Sequence, residues 1–345
     1  MTDFVDLGFA VECEDPWLLE SRFFPSKVGG KPAWLSLKNI PNSEKLACDY
    51  CKEPTVFLCQ IYAPYEKTEK AFHRTIFVFI CKNSSCCKEN SNGNLKIFRS
   101  QLERVNEFYP AIPPVEECNW RTDLRIENLV DICFVCGIAA PYKCSKCKKV
   151  KYCSQLHQVS HWKNGHKASC GTEAKELSLE KNQFLFPEFE LDMEEEVYSE
   201  KSDADVDVAG ELKKIEELKI NGQVSLQSEE NVDEDLLKMA NGEVDKTLLK
   251  FKKRIQNAPD QVIRYNLGGQ PLFVSSSDQP SEIPNCENCN SSRQFEFQIM
   301  PQLLTTLKID SSTDCIHWGT IAIYTCKNSC EPIADYVPEF AWKQE

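Results

Sequence analysis

Val28-Gly29-Gly30-Lys31-Pro32-Ala33-Trp34-Leu35 recurs towards the other end of the chain as Leu267-Gly268-Gly269-Gln270-Pro271-Leu272-Phe273-Val274. A Gly-Gly-x-Pro stretch between extended segments specifies a turn with positive φ and a fixed kink. A C-x2-C pair follows the second glycine by 18 residues in one copy (Cys48, Cys51) and by 17 in the other (Cys286, Cys289). Gln60-Ile61 and Gln298-Ile299 each stand nine residues beyond the second of these cysteines. Thr75-Ile76 then leads into Cys81-Lys82-Asn83-Ser84, and Thr320-Ile321 into Cys326-Lys327-Asn328-Ser329. The apolar runs Ile76 to Ile80 and Ile321 to Tyr324 read as buried strands.

Each copy closes with a second cysteine pair, Cys81-x4-Cys86 or Cys326-x3-Cys330. Cys48, Cys51, Cys81 and Cys86 therefore form one set of four thiolates, and Cys286, Cys289, Cys326 and Cys330 another. This is a zinc-ribbon-like arrangement, with each C-x2-C in a knuckle between strands. Cys87 is an alternative to Cys86. The expected fold class is α+β and β-rich: duplicated β half-domains over residues 1–118 and 244–345, each with a four-cysteine site. Strand pairing between the copies makes one composite domain; two independent ribbon domains are the alternative.

The chain has 345 residues, 40 Lys+Arg against 53 Asp+Glu for a net charge of −13, and 41% hydrophobic residues, enough for two modest domains or one domain with an insert. No run approaches 18 apolar residues, so a membrane-spanning helix is not expected. The acidic N-terminus lacks the basic region and apolar stretch of a secretory signal. In a chain whose thiols stay reduced, 19 cysteines at such spacings point to metal rather than disulfides.

Between the copies the pattern tightens: Cys133-x2-Cys136, Cys144-x2-Cys147, Cys153 with His157, and His166 with Cys170. Four ligand pairs suffice for two tetrahedral zinc sites, and closed sites of this composition are structural rather than catalytic. So short a segment has too little core to fold alone, so metal supplies much of its folding free energy. These residues resemble a MYND zinc finger over 133–170. The resemblance implies interleaved sites: Cys133, Cys136, Cys153 and His157 on one zinc, and Cys144, Cys147, His166 and Cys170 on the other. His157 stands where many such fingers carry cysteine. With eight ligands already present, His161 reads as a packing or surface histidine. MYND fingers are protein-interaction modules, and the resemblance associates them with proline-containing peptides. The segment carries seven lysines and no acidic residue, yet lacks a base-reading helix, so protein is a better-fitting partner than nucleic acid.

Pro187 to Asp245 holds 20 acidic residues and five lysines, a net charge of −15, so the rest of the chain sums to +2. Residues 187–243 therefore read as an acidic disordered linker, either a spacer or a polyanionic grip for a basic partner. Within it, Leu212, Ile215, Leu218 and Ile220 have the spacing of a leucine-rich export signal or of any short amphipathic helix. Val244, Leu248, Phe251 and Ile255 predict a helix, stopped by Pro259, that docks on the domain after it. Cys13, Cys59, Cys87, Cys118 and Cys315 are left over and read as small buried apolar residues.

Taken together the chain is similar to the programmed cell death protein 2 family. The resemblance rests on Val28 to Leu35, Tyr62-Ala63-Pro64, Phe72-His73-Arg74, Phe98-Arg99-Ser100-Gln101-Leu102, Phe251-Lys252-Lys253-Arg254, Gln261 to Tyr265, Phe297-Gln298-Ile299-Met300-Pro301-Gln302-Leu303-Leu304, and Glu339-Phe340-Ala341-Trp342-Lys343-Gln344. It implies a non-enzymatic, cytoplasmic and nuclear chaperone or adaptor that binds a newly made small-subunit ribosomal protein of the S-five class and supports ribosome biogenesis. Trp34, Phe273 and Trp342 are candidates for the client groove or for core packing. The runner-up is a transcription-linked adaptor that recruits corepressor-type proteins through the finger. Catalysis is disfavoured: there is no phosphate-binding glycine loop, no Asn-His-Ser-Cys stretch of the methyltransferases that also carry MYND fingers, and no acid or nucleophile pattern around His73 and His317.

Overall fold

The computed structural model describes residues 4–65, 68–172, 182–197, 246–309 and 315–345. Ten strands form one closed antiparallel barrel: β1 (Asp6–Val11), β2 (Lys27–Val28), β3 (Val56–Tyr62), β4 (His73–Ile80), β5 (Leu95–Leu102), β8 (Phe189–Glu195), β9 (Gln261–Tyr265), β10 (Arg293–Ile299), β11 (Thr320–Cys326) and β12 (Val337–Gln344). Two short strands, β6 (Tyr142–Lys143) and β7 (Lys151–Tyr152), pair separately within the finger. Around the ring the order is β1-β8-β2-β3-β4-β5-β12-β11-β10-β9, and β9 returns to β1. Strands from both ends of the chain thus enclose one interior, and two separate ribbon domains do not form.

Alternation along each strand decides what faces in. On β4, Ile76, Val78 and Ile80 join Ile97, Phe297, Ile299, Ile321, Ile323 and Ala341 in a core fed by strands from all round the ring. The intervening Phe77 and Phe79 belong to a second core outside the barrel wall, with Trp34, Phe57 and Phe98. The runs expected as buried strands are buried throughout, in β4 and in β11.

Two strand sets share local detail. β3 carries a register shift between Phe57 and Cys59, and β10 carries one between Phe295 and Phe297. Shortly after each shift a glutamine side chain clamps the segment that follows the glycine turn. Gln60 Oε1 accepts from Ala33 N at 2.9 Å while its Nε2 donates to Ala33 O at 3.2 Å. Gln298 does the same to Leu272, at 2.6 and 3.0 Å. Both glycines of the first turn have positive φ, at 65° and 66°, as does Gly268 at 80°. A Cβ on Gly29 would lie 1.7 Å from the carbonyl oxygen of Pro187.

The interior is not wholly apolar. Arg74 on β4 makes a bidentate ion pair with Glu296 on β10, with one contact at 2.7 Å, and Thr325 completes the group. Burial pushes the Glu296 carboxyl up, but the Arg74 guanidinium prevails and holds it below the usual range. At the seam where β5 meets β12 over three residue pairs, Arg99 donates to Glu339 at 2.7 Å, and Arg293 donates to the other carboxylate oxygen at 2.8 Å.

Two sequence-based expectations are corrected. Residues 189–195 are not linker but strand β8, because Leu191 and Met193 pack on the core while Glu190, Asp192 and Glu194 point outward. A period of two hid beneath the acidic composition. Of the leftover cysteines, Cys59 and Cys87 are buried, but Cys118 is exposed and Cys13 and Cys315 are half-buried. The expected helix spans Lys246–Gln256 with Phe251 buried and Arg254 bonded to Glu196 at 2.6 Å. Val244 and the export-like stretch at 212–220 lie outside the described residues. Among the described residues, no helix is long and apolar enough to cross a membrane.

Two stability tests follow. Gly29→Ala places a side chain at positive φ against a backbone carbonyl, and costs at least about 2 kcal/mol, read as a lower midpoint of thermal unfolding. Glu296→Leu strands the buried Arg74 and costs roughly 3–5 kcal/mol, whereas the double variant Arg74→Leu/Glu296→Leu recovers much of that loss; a double-variant loss equal to the sum of the Glu296→Leu and Arg74→Leu losses would show that the pair is not energetically coupled.

Candidate metal centres and finger interface

Four C-x2-C stretches adopt one backbone form. The residue after the second cysteine has positive φ in each: Lys52 (64°), Gly137 (76°), Lys148 (57°) and Asn290 (58°). Its N–H donates back to the carbonyl of the first cysteine, at 3.0, 2.8, 2.9 and 2.8 Å for Cys48, Cys133, Cys144 and Cys286. Three of these four left-handed residues are not glycine, a conformation of some energetic cost. The turn aims both sulfurs at one point, and ligation of a metal there would offset that cost.

Each knuckle meets its second pair. Cys48, Cys51, Cys81 and Cys86 converge where the end of β4 meets the loop before β3. Cys286, Cys289, Cys326 and Cys330 converge at the corresponding end of β11. The finger brings together Cys133, Cys136, Cys153 and His157, and separately Cys144, Cys147, His166 and Cys170, as the interleaved pairing expects. In all four groups the donor atoms lie within 4.8 Å of one another. Sulfur–sulfur separations are 3.6 Å (Cys51 to Cys81), 3.5 Å (Cys136 to Cys153), 3.9 Å (Cys144 to Cys170), 3.5 Å (Cys289 to Cys326) and 3.8 Å (Cys286 to Cys330). The edge of a tetrahedron with 2.3 Å zinc–sulfur bonds is about 3.8 Å, so the donor sets fit zinc without rearrangement. His157 offers Nδ1, 3.1 Å from Cys153 Sγ, and His166 offers Nε2, 3.5 Å from Cys147 Sγ.

Local structure explains these positions. Ser154 caps the helix Gln155–His161 and accepts from His157 N at 3.3 Å, which sets the imidazole one turn above Cys153. His161 is no ligand: it is buried, stacked on Phe134 at 4.1 Å and bonded to the Tyr152 hydroxyl at 2.9 Å. The choice between neighbours is also made, since Cys86 turns into its four-cysteine group and Cys87 turns away towards Lys343 and His317.

The four groups differ in exposure. Those of the finger and the first half are mostly buried, but Cys289 is exposed and Cys330 half-buried. Hydrogen bonds from Ser291 hold the Cys289 thiol down at about 6.

The finger is not a free appendage. Trp34, the aromatic of the first glycine turn, is fully buried and donates through Nε1 to Gly137 O at 2.8 Å. Val135, Ile138 and Ala140 of the finger join Trp34, Phe77 and Phe79 of the barrel in one apolar cluster. Asn182, just past the finger, donates to Val135 O at 2.8 Å. Trp34 is thus core, whereas Phe273 and Trp342 are half-buried. Beside this junction runs a groove of about 900 Å³, lined by Lys27, Lys31, Pro32, Phe134 and Leu185 among others. Lysines 146, 148, 149, 163 and 167 are exposed on the finger. Sequence reasoning missed the groove, because its walls come from three segments that only the fold assembles.

Comparison with known proteins agrees with this construction. Family models match at residues 4–116 (programmed cell death protein 2, N-terminal domain), 133–170 (MYND finger, a zinc-binding module) and 245–345 (programmed cell death protein 2, C-terminal putative domain). The chain is 40% identical to programmed cell death protein 2 of Bos taurus, over 99% of this chain and 96% of that one. It is 28% identical to programmed cell death protein 2-like of Mus musculus, over 94% and 91% of the two chains. It is also 33% identical over 100 residues to the probable 20S rRNA accumulation protein 4 of Schizosaccharomyces pombe, covering 26% of this chain and 24% of that one. No solved structure matches. With one family's models at both ends of the barrel and a relative aligned over almost the whole length, the chain belongs to the programmed cell death protein 2 family.

Proposed function

We propose that this protein is a non-catalytic, zinc-stabilised chaperone that holds a newly made small-subunit ribosomal protein of the S-five class in cytoplasm and nucleus until small-subunit assembly. The observation that carries the reading is the Schizosaccharomyces pombe relative, whose name ties it to 20S rRNA accumulation. The surface supports it. On β1 and β8, the exposed Val11 and half-buried Phe9 stand opposite Glu190 and Asp192, and Glu194 follows on the same outward face of β8, so apolar surface lies beside carboxylates on one wall. Such a wall suits a client whose basic surface is built for RNA. The charge of residues 187–245 has the same sign and adds long-range attraction.

We read the barrel as two copies of one unit, β3–β5 and β10–β12, from the matched register shifts, glutamine clamps and knuckles. Each of the four knuckle groups holds one zinc, and coordination by four protein donors leaves no position for a reacting water. Outside the finger, His73 is buried against Phe24 and bonded to Tyr62, an environment for packing rather than proton transfer. The adaptor reading draws on the groove beside the finger, whose Phe134, Pro32 and Leu185 would take an apolar peptide.

Deleting the finger would uncover Trp34, Phe77 and Phe79, so surface substitutions are the cleaner test. The chaperone reading expects a stoichiometric complex with the purified ribosomal protein. Glu190→Lys/Asp192→Lys/Glu194→Lys weakens that complex at least tenfold, and Lys146→Glu/Lys148→Glu/Lys149→Glu leaves it intact. No complex with the wild-type chain rejects the reading, and loss only in the finger variant transfers binding to the finger. For the metal, a chelator removes zinc first from Cys286, Cys289, Cys326 and Cys330, where Cys289 is exposed, and last from the finger. Mass spectrometry of alkylated peptides over time checks that order.

A further inference from the structure

We propose that Cys87, His317 and Glu345 form a further metal site, which holds a zinc-type divalent cation between the first half of the barrel and the end of β12. Cys87 Sγ, an imidazole nitrogen of His317 and a carboxylate oxygen of Glu345 all lie within 4.8 Å of one another. Cys87 and His317 are 230 positions apart, so chain proximity does not explain the meeting. Thiolate, imidazole and carboxylate are the three ligand types that zinc accepts. His317 Nε2 lies 3.0 Å from Glu345 Oε2, the spacing of two donors that share an ion or a proton.

The surroundings of the sulfur match those of a cysteine in the four-cysteine group of the other half. Cys87 Sγ receives N–H groups from the His317 backbone at 3.4 Å and from Lys343 Nζ at 3.4 Å. Cys330, which belongs to one of the four-cysteine groups, receives Arg99 Nη2 at 3.5 Å and Asn288 Nδ2 at 3.0 Å. Such donors are the usual outer partners of a metal thiolate. Arg99 pairs with Ile76, and Lys343 with the matching Ile321, so the two cations occupy corresponding places. Cys59 differs: it lies in the apolar core, where burial pushes its thiol far up.

Lys343 is the competing cation, fully buried and paired with Glu345. The carboxylate serves both, with Oε1 towards Lys343 and Oε2 towards His317. In the structure the Cys87 thiol donates to His317 O at 3.1 Å. Coordination replaces that S–H bond with a sulfur–metal bond and releases one proton to solvent. Three protein ligands leave one position for water, unlike the four knuckle centres.

The test is the number of zinc ions retained by the full-length protein in native mass spectrometry. The wild type is expected to hold one more ion than His317→Ala, Glu345→Gln or Cys87→Ser. His317 has a side-chain exposure of 56%, so its replacement leaves the fold intact, which an unchanged thermal midpoint in zinc-free buffer confirms. Equal ion counts in the wild type and His317→Ala overturn the proposal and assign the cluster to neutralising Lys343. Cobalt(II) provides a second readout: a thiolate charge-transfer band that saturates with one equivalent after the knuckles are filled with zinc, and that is absent in Cys87→Ser. Neither readout depends on the client, so failure here leaves the chaperone reading untouched.

Discussion

Arg99 and Glu339 meet across a seam of only three residue pairs, and the closure of the barrel depends on that meeting. A closed barrel has no free edge, but this one is closed by chain segments separated by the finger and everything after it. The loop entropy of that closure is offset where the segments touch. Glu339 bonds Arg99 and Arg293 together, and Arg74 reaches Glu296 from β4 to β10, all with little or no exposure. Buried pairs of this kind contribute little net stability, but any other register would leave a buried charge without its partner. Their role is to select one closure among many compact alternatives.

The metal centres take over where strands end. Both four-cysteine groups sit at the ends of β4 and β11, where backbone pairing stops and the chain must turn without a large core. Four thiolates converging there could hold a metal, whose ligation would supply free energy that these turns cannot obtain from burial. The finger obeys the same logic and adds packing, since Trp34 ties it to the outer face of β3–β5. A module that looks self-contained in sequence is therefore part of the barrel's outer core. One consequence is geometric: the finger's basic surface and the acidic wall of β1 and β8 are held in fixed relation, as two distinct faces of one body.

Much of this is legible in the sequence. The ligand sets are readable because thiolates must recur at fixed spacing to reach one ion, and such spacing survives any change of surroundings. The strands around Ile76 and Ile321 are readable because continuous apolar runs have few alternatives in a β-rich chain. β8 escapes such a reading because Glu190, Asp192, Glu194 and Glu195 dominate its composition, although Leu191 and Met193 keep the period of a half-buried strand. Cys118 departs from expectation because burial is a property of cysteines on average, and this one lies on an exposed turn.

The sequence by itself determined the family, the four C-x2-C knuckles and the two strand-rich ends, because each is written in local spacing and in residue type. Only the tertiary structure decided that the ends close into one barrel, that Trp34 belongs to the core, that Cys86 rather than Cys87 joins its group, and that Cys87 meets His317 and Glu345. Those outcomes depend on which distant side chains share one buried volume. Shared volume follows from the closure of the whole ring, and no local pattern encodes it.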